Sequence, residues 1–317
     1  MFRLAWKSLV SRRRIMILIY VSLSLSVLLF LGVQRSARLG RESFSRTITG
    51  TDLIVGARTG QLNLILYSVF HMGNAVNNIG YDAYRAVANR SDVDWIIPVS
   101  LGDSHRGYRV VGTENSLFRE YRYSDGRTLE LIQGTEFSES PFDVVLGATV
   151  ADQIGYKSGD SVVISHGTGR VTLNDHSNLP LTVSGILAAT GTPVDTSLFV
   201  SLRGITAIHL GWEDGVERRE VTVEEALRRD LTPESITAAY VGLTNRSSVL
   251  TVQRAINDYA DEPLTAVLPG VALYELWKIM STAERSLSFI PGFVVVVGLI
   301  SLLTAQLAVL EQRRRGM

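Results

Sequence analysis

The chain has 317 residues, 31 basic against 31 acidic for a formal net charge of zero, and no cysteine. That balance excludes a surface built for nucleic acid or for an acidic substrate, and the lack of cysteine excludes disulfides and thiolate chemistry. A core of this size needs no covalent staples, so an exported domain is compatible with the composition.

Residues 1–14 form a basic amphipathic segment carrying Arg3, Lys7 and the run Arg12-Arg13-Arg14. A charge-free apolar stretch follows at 15–33, from Ile15 to Val33. Roughly 20 apolar residues at ~1.5 Å rise cover the ~30 Å hydrocarbon core of a bilayer, so this stretch is long enough to span. A secretory signal peptide also starts with basic residues and an apolar run. Here the run is longer than an ordinary h-region, and Val33-Gln34-Arg35 is a poor small-residue cleavage site.

After a stalk at 34–50, Thr51 to Arg58 reads as a buried strand ended by Gly56. Gln61 to Met72 is a second apolar stretch, too short to cross a bilayer, in which Leu62, Leu66, Val69 and Phe70 are candidates to face an apolar substrate; ordinary core packing is the competing reading. The Asn- and Gly-rich piece 73–80 is a loop, Tyr81 to Asn89 a short helix, and Val93 to Ser100 a strand. Residues 51–100 thus form a strand, helix, strand unit, and the order recurs at 236–268: strand Ile236 to Leu243, helix Ser247 to Tyr259 with Ser247 as N-cap, strand Pro263 to Leu268. Two such units at the two ends of one domain can pair into a single sheet, as in the split βαβ arrangement.

Between them, 101–235 is rich in strands and turns, with strands at Arg109 to Gly112, Asp143 to Gly147, Ser161 to Ser165, Leu181 to Leu187 and Ser197 to Val200. Short helices are expected at Ala148 to Ile154 and Val223 to Arg229. This part reads as an inserted β-rich subdomain. From Pro269 the pattern turns amphipathic and helical, with Leu273, Leu276, Trp277 and Met280 at three- and four-residue spacing, a second stalk. It leads into a second charge-free apolar stretch, 287–310, followed by Glu311, Arg313, Arg314 and Arg315 within 311–317.

Each apolar stretch carries its Arg cluster on the terminal side, and basic residues near membrane ends stay in the cytoplasm. Arg35, Arg38, Arg41 and Arg46 weaken the bias of the first stretch, but Lys278 and Arg285 before the second are offset by Glu275 and Glu284. Both termini are therefore expected inside and residues 34–286 outside. The fold class expected is an α+β membrane protein with two transmembrane helices flanking an extracytoplasmic domain.

These pieces in this order resemble the permease subunits of ABC transporters of the MacB/LolCDE/FtsX-like family. The resemblance rests on Phe2-Arg3-Leu4-Ala5-Trp6-Lys7-Ser8-Leu9 before the Arg run, and on the stretch from Val145-Leu146-Gly147-Ala148 to Gly159-Asp160. Glu275-Leu276-Trp277 in the stalk and Glu311-Gln312-Arg313-Arg314-Arg315 after the second apolar stretch complete it. The resemblance implies a MacB-like periplasmic core domain, with a porter-like part at 51–100 and 236–268 and the insert at 101–235. It also implies a four-helix permease in the bacterial inner membrane, contact with membrane lipids, a second permease protomer in a homo- or heterodimer, and a separate cytoplasmic ABC ATPase. On that comparison the chain stops after the second transmembrane helix, so the rest of the permease is expected to be missing, and the Arg313 to Arg315 run leads toward the ATPase-docking element.

No P-loop, Gly-x-Ser-x-Gly elbow or His-Glu-x-x-His is present. His71, His105, His166, His176 and His209 are scattered without metal-ligand spacing, so no catalytic residue, cofactor or metal is expected. Small residues one turn apart, Ser22 with Ser26 and Ser301 with Ala305, suit close helix packing in a membrane. The function expected is a non-catalytic permease subunit that couples a partner's ATP hydrolysis to motion of the external domain, exporting or extracting a lipoprotein, peptide or amphiphile. The alternatives are a two-helix membrane sensor and an FtsX-like regulator of a cell-wall hydrolase.

Overall fold

The computed structural model describes residues 47–167, 176, 178–213 and 216–314, and within 1–46 residues 17, 20, 21, 24, 25, 27–32, 34, 35 and 38. The chain divides into two compact units, 43–275 and the pair of terminal segments 1–42 and 276–317.

An unbroken apolar run suits a strand covered on both faces. Leu53-Ile54-Val55-Gly56-Ala57 is such a run, and all five residues of β1 (Leu53–Ala57) are buried. The other strands of the main sheet are β2 (Val93–His105), β3 (Tyr108–Thr113), β4 (Leu131–Gly134), β5 (Asp143–Leu146), β6 (Ser161–Val162), β7 (Ser165–His166), β8 (Leu181–Leu187), β9 (Ser197–Ser201), β10 (Ala238–Leu243) and β11 (Leu264–Val267). The helices are α1 (Gln61–Ser68), α2 (Tyr81–Ala88), α3 (Ser116–Glu120), α4 (Ala148–Ile154), α5 (Leu202–Ile208), α6 (Val223–Arg228), α7 (Val249–Asn257) and α8 (Pro269–Arg314).

In space the strands run β11-β1-β10-β2-β3-β9-β5-β8-β4, with β7 beside β2 and β6 beside β8. Each of the first four runs antiparallel to its neighbours: β1 takes Ile54 opposite Tyr240 and Val267, and β10 takes Tyr240 opposite Ile97. Strands from the two ends of the domain therefore alternate, as expected of a split βαβ fold. Beyond β2 the sheet continues through the insert, where the β3–β9 and β5–β8 pairs are parallel.

Alternation along the strands divides the apolar side chains into two layers. On one face of the porter-like sheet Leu53, Val55, Ala239 and Val241 pack with Tyr84 and Val87 of α2 and Val252 and Ile256 of α7. On the opposite face Ile54, Ile97 and Tyr240 join Leu64 and Ile65 of α1, and the same cluster runs on through Phe118, Val145 and Phe199 of the insert. The insert's other face is closed by Val150 and Ala151 of α4 and Ala207 and Ile208 of α5 over Val144, Leu146 and Val200.

Three local features differ from the sequence expectation. Gln61–Ser68 is a helix, so two helices rather than one separate β1 from β2. The expected end of the strand near Ser100 is not an end: β2 runs on to His105, pairing Ser100 with Gly112 on β3, so the residue-100 boundary lies inside one strand. Asn245, not Ser247, is the capping residue before α7; its side chain accepts from the Ser247 amide at 3.0 Å and starts a 3-10 turn, Arg246–Ser248.

The described residues between 17 and 38 are helical, and α8 is a continuous helix of 46 residues that starts within the 43–275 unit and contains 287–310. Among the described residues no helix is long and apolar enough to cross a membrane. Much of 15–33, including Ser22 and Ser26, and the basic segment 1–14 lie outside the described residues, as do Arg315 and the side chains of Ala305, Glu311, Arg313 and Arg314.

Candidate functional site

The four residues proposed to face a substrate do not form one exposed surface. Val69 and Phe70 are core residues at 3% and 5% exposure. Leu66 packs against the same cluster and Leu62 is half-buried. An eight-residue helix laid against a sheet must bury one side, and this apolar segment spends its side chains on that contact.

The stalk residues keep their predicted spacing on α8. Leu273 packs at the edge of the core cluster beside the buried Ala272. Leu276, Trp277 and Met280 are each half-buried, while Tyr274 at 69% and Ile279 at 59% are exposed. The N-terminal strap is fixed too: the Thr49 amide donates to the Arg122 carbonyl at 2.9 Å, Thr49 Oγ1 donates to the Ser124 carbonyl at 2.7 Å, and the Tyr121 hydroxyl donates to the Thr47 carbonyl. Chain entry and exit are thereby hydrogen-bonded or packed into the domain.

A groove of about 490 Å³ opens where the porter-like part meets the insert, bordered by Tyr81, Glu114, Phe137, Leu202, Arg203 and Asp230. The loop that leads into β9 is held by a carboxylate of its own. There Asp195 accepts from the Thr190 amide at 2.8 Å, the Thr190 hydroxyl at 2.7 Å and the Gly191 amide at 2.7 Å. Gly147, part of the quoted Val145 to Ala148 motif, sits against this loop: a Cβ there would stand 2.2 Å from the Val194 carbonyl oxygen.

The histidines are not uniformly scattered once folded. His71 has a left-handed φ of 54°, and its Nδ1 lies 2.8 Å from Ser197 Oγ. Since Ser197 Oγ donates to the Pro193 carbonyl at 2.9 Å, it accepts from His71 Nδ1–H. Burial, helped by the charge of Arg109, lowers the His71 pKa to about 4. His105 Nδ1 lies 2.6 Å from the Val163 carbonyl and must donate to it, leaving Nε2 to accept from the Tyr156 hydroxyl at 3.0 Å. His176 and His209 meet edge to face at 5.0 Å between ring centroids, and Asp103 joins them. Burial pulls the His209 pKa down, but the hydrogen bond and charge of Asp103 reverse this and the net direction is up.

Spacings of 73 and 33 residues between these three carry no sequence signal. The readable sign was Gly102-Asp103 inside a strand. A glycine and a carboxylate there mark a bulge, and the β2–β3 register slips by one residue between Leu101 and Ser104.

With this architecture in view, the sequence profile of the MacB-like periplasmic core domain matches residues 17–259. The chain belongs to that family. It is thus an FtsX/MacB-like ABC-transporter permease chain carrying the MacB-like core domain, and the family implies a cytoplasmic ATPase partner. Among curated proteins none matches. Two solved structures resemble the MacB-like chain. One is the periplasmic region of MacB from Actinobacillus actinomycetemcomitans, at 10% identity and a TM-score of 0.42, covering 73% of this chain and 94% of that one. The other is the extracellular domain of the noncanonic ABC-type transporter YknZ from Gram-positive bacteria, at 11% identity and a TM-score of 0.35, covering 68% and 98%.

Proposed function

We propose that this chain is the non-catalytic membrane subunit of an ABC transporter, crossing the inner membrane at 15–33 and 287–310 and holding 34–286 on the external side. ATP hydrolysis by a separate cytoplasmic ATPase is transmitted through α8 and the stalk at 34–50 to the porter-like part and the insert. That motion exports or extracts a lipoprotein, peptide or other amphiphile at the membrane surface, and a second permease protomer completes the pathway.

The observation that carries this reading is the extent of the family match, which begins at residue 17, within the first apolar stretch, and runs through the split βαβ part and the insert to residue 259. Side-chain exposure supports it. On α8, Phe289 and Phe293 are 67% and 68% exposed, and Val296, Val297, Ile300, Leu303 and Leu307 are exposed along with them. Apolar surface costs about 25 cal/mol per Å² in water, and a band of it on one helix is stable only when covered. Hydrocarbon covers it at no such cost.

The test is a photo-crosslinking residue at position 314 in native membranes. The expected adduct is a protein with a Walker A motif, lost or much reduced when Arg313 and Arg315 beside the crosslinker are both replaced by alanine. An adduct consisting of a signalling kinase would favour the sensor reading and contradict this one.

A further inference from the structure

Asp103, His176 and His209 come from distant parts of the chain and converge at one point in the insert. A donor atom from each lies within 4.8 Å of the other two, and Asp103 and His176 are each 3% exposed. The backbone presents all three. Asp103 sits in the bulge of β2, where the ordinary alternation fails and Asp103, Ser104 and His105 are all buried in succession; a bulge re-aims a side chain in this way. The main chain of Asp103 pairs with His166 of β7, the His176 amide donates to the Ile164 carbonyl at 2.9 Å, and His209 is the C-cap of α5.

Hydrogen bonding decides what the His209 ring can offer. Its Nδ1 is 2.7 Å from the Ile205 carbonyl oxygen, which only accepts, so Nδ1 carries a proton. In the neutral ring Nε2 is then a lone pair, and it faces Asp103 Oδ1 at 3.5 Å. Lone pair and carboxylate repel unless a positive charge joins them. A ring proton would do so for one histidine, but it gives no reason for a second imidazole to be delivered to the same carboxylate. A backbone carbonyl holding the far nitrogen is also the usual outer-shell support of a metal-ligating histidine.

The geometry points to a site for one divalent transition cation of the zinc class, held by Asp103 Oδ1, His209 Nε2 and a ring nitrogen of His176. Two imidazoles select against magnesium and calcium, and the absence of thiolate selects against copper(I) and iron–sulfur chemistry. With bonds of about 2.0–2.1 Å, tetrahedral donors stand roughly 3.3 Å apart. The ion would therefore draw these groups inward by no more than about 1.5 Å from their 4.8 Å limit. The Trp212 ring, edge-on to His176 with centroids 4.4 Å apart, walls that side. The cation ties β2, the segment after β7 and the end of α5 together, the task a disulfide would perform in a chain with cysteine. The site stands on side-chain geometry alone and is independent of the permease reading.

The experiment uses the full chain, purified in detergent without a histidine tag, stripped with a chelator, and titrated separately with Zn²⁺ and Co²⁺. One equivalent of Zn²⁺ per chain is expected, with visible d–d absorption from four-coordinate Co²⁺ that Zn²⁺ displaces. Affinity should fall roughly tenfold or more in H176Q and in H209Q. Because Asp103→Asn disturbs the bulge as well as the ligand set, the cobalt spectrum of the unsubstituted chain is the reading that does not depend on a variant's folding. No stoichiometric binding, a weak six-coordinate cobalt spectrum, or unchanged affinity in H176Q and H209Q would overturn the site and leave a buried histidine–aspartate ion pair.

Discussion

His71 is held neutral by its surroundings, and this gives it a measurable sign. Its folded pKa of about 4 lies below the ordinary 6.5, so between those values the unfolded chain binds the proton first and stability falls as pH drops through the window. His71→Asn keeps a donor near Ser197 and tolerates the left-handed φ, so its melting temperature should lose less on going from pH 7 to pH 4 than that of the parent chain. Parallel slopes for the two chains would contradict the burial argument. Gly147 makes a different kind of point. Its backbone is ordinary β, φ −67° and ψ 152°, so Gly147→Ala meets no torsional strain. The conflict is purely steric, with the Val194 and Asp195 carbonyls at 2.2 and 2.6 Å from the new Cβ. Overpacking of this kind costs about 1–3 kcal/mol, and denaturant melts of the two chains check it.

At the scale of elements, β2 is the strand on which the domain turns. Its first half pairs with β10 and its second with β3, and one apolar layer runs from Ile54 and Tyr240 to Phe199 without a break. The porter-like part and the insert should therefore open together. Phe199→Ala, a core truncation worth about 3–5 kcal/mol, lies in the insert, yet it should speed hydrogen exchange in β10 as well as in β9; unchanged protection in β10 would show the halves to be independent. The same strand shows where sequence was and was not legible. Local apolar patterning and turn residues located β1, β8, β9 and α4 to within a residue or two, because each is a local signal answering to one core. It did not show that β2 continues past Ser100, since Ser100, Gly102 and Asp103 read as a strand's end until β3 is beside them. Nor did it reveal α1, whose apolar residues are dense enough to hide the helical period, or the meeting of His176 with His209, which depends on how loop and helix ends are brought to a bulge.

On the scale of the whole molecule, the proposed mechanism requires that force pass between compartments along the chain itself. The helix α8 begins two residues after β11, at Pro269, and runs to Arg314, so Leu268 alone separates the last strand of the domain from the helix that contains the charge-free 287–310 stretch. Coupling along α8 works only if its two ends lie on opposite sides of the membrane. The absence of cysteine makes this directly measurable with single introduced thiols. Ser158 is exposed in the turn before β6, and Gly316 lies beyond the terminal Arg run. In spheroplasts, a membrane-impermeant maleimide should label Ser158→Cys at once and Gly316→Cys only after permeabilisation. Protection of Ser158→Cys until lysis, or equal labelling of both thiols in intact cells, would contradict the two-span arrangement and the permease mechanism built on it.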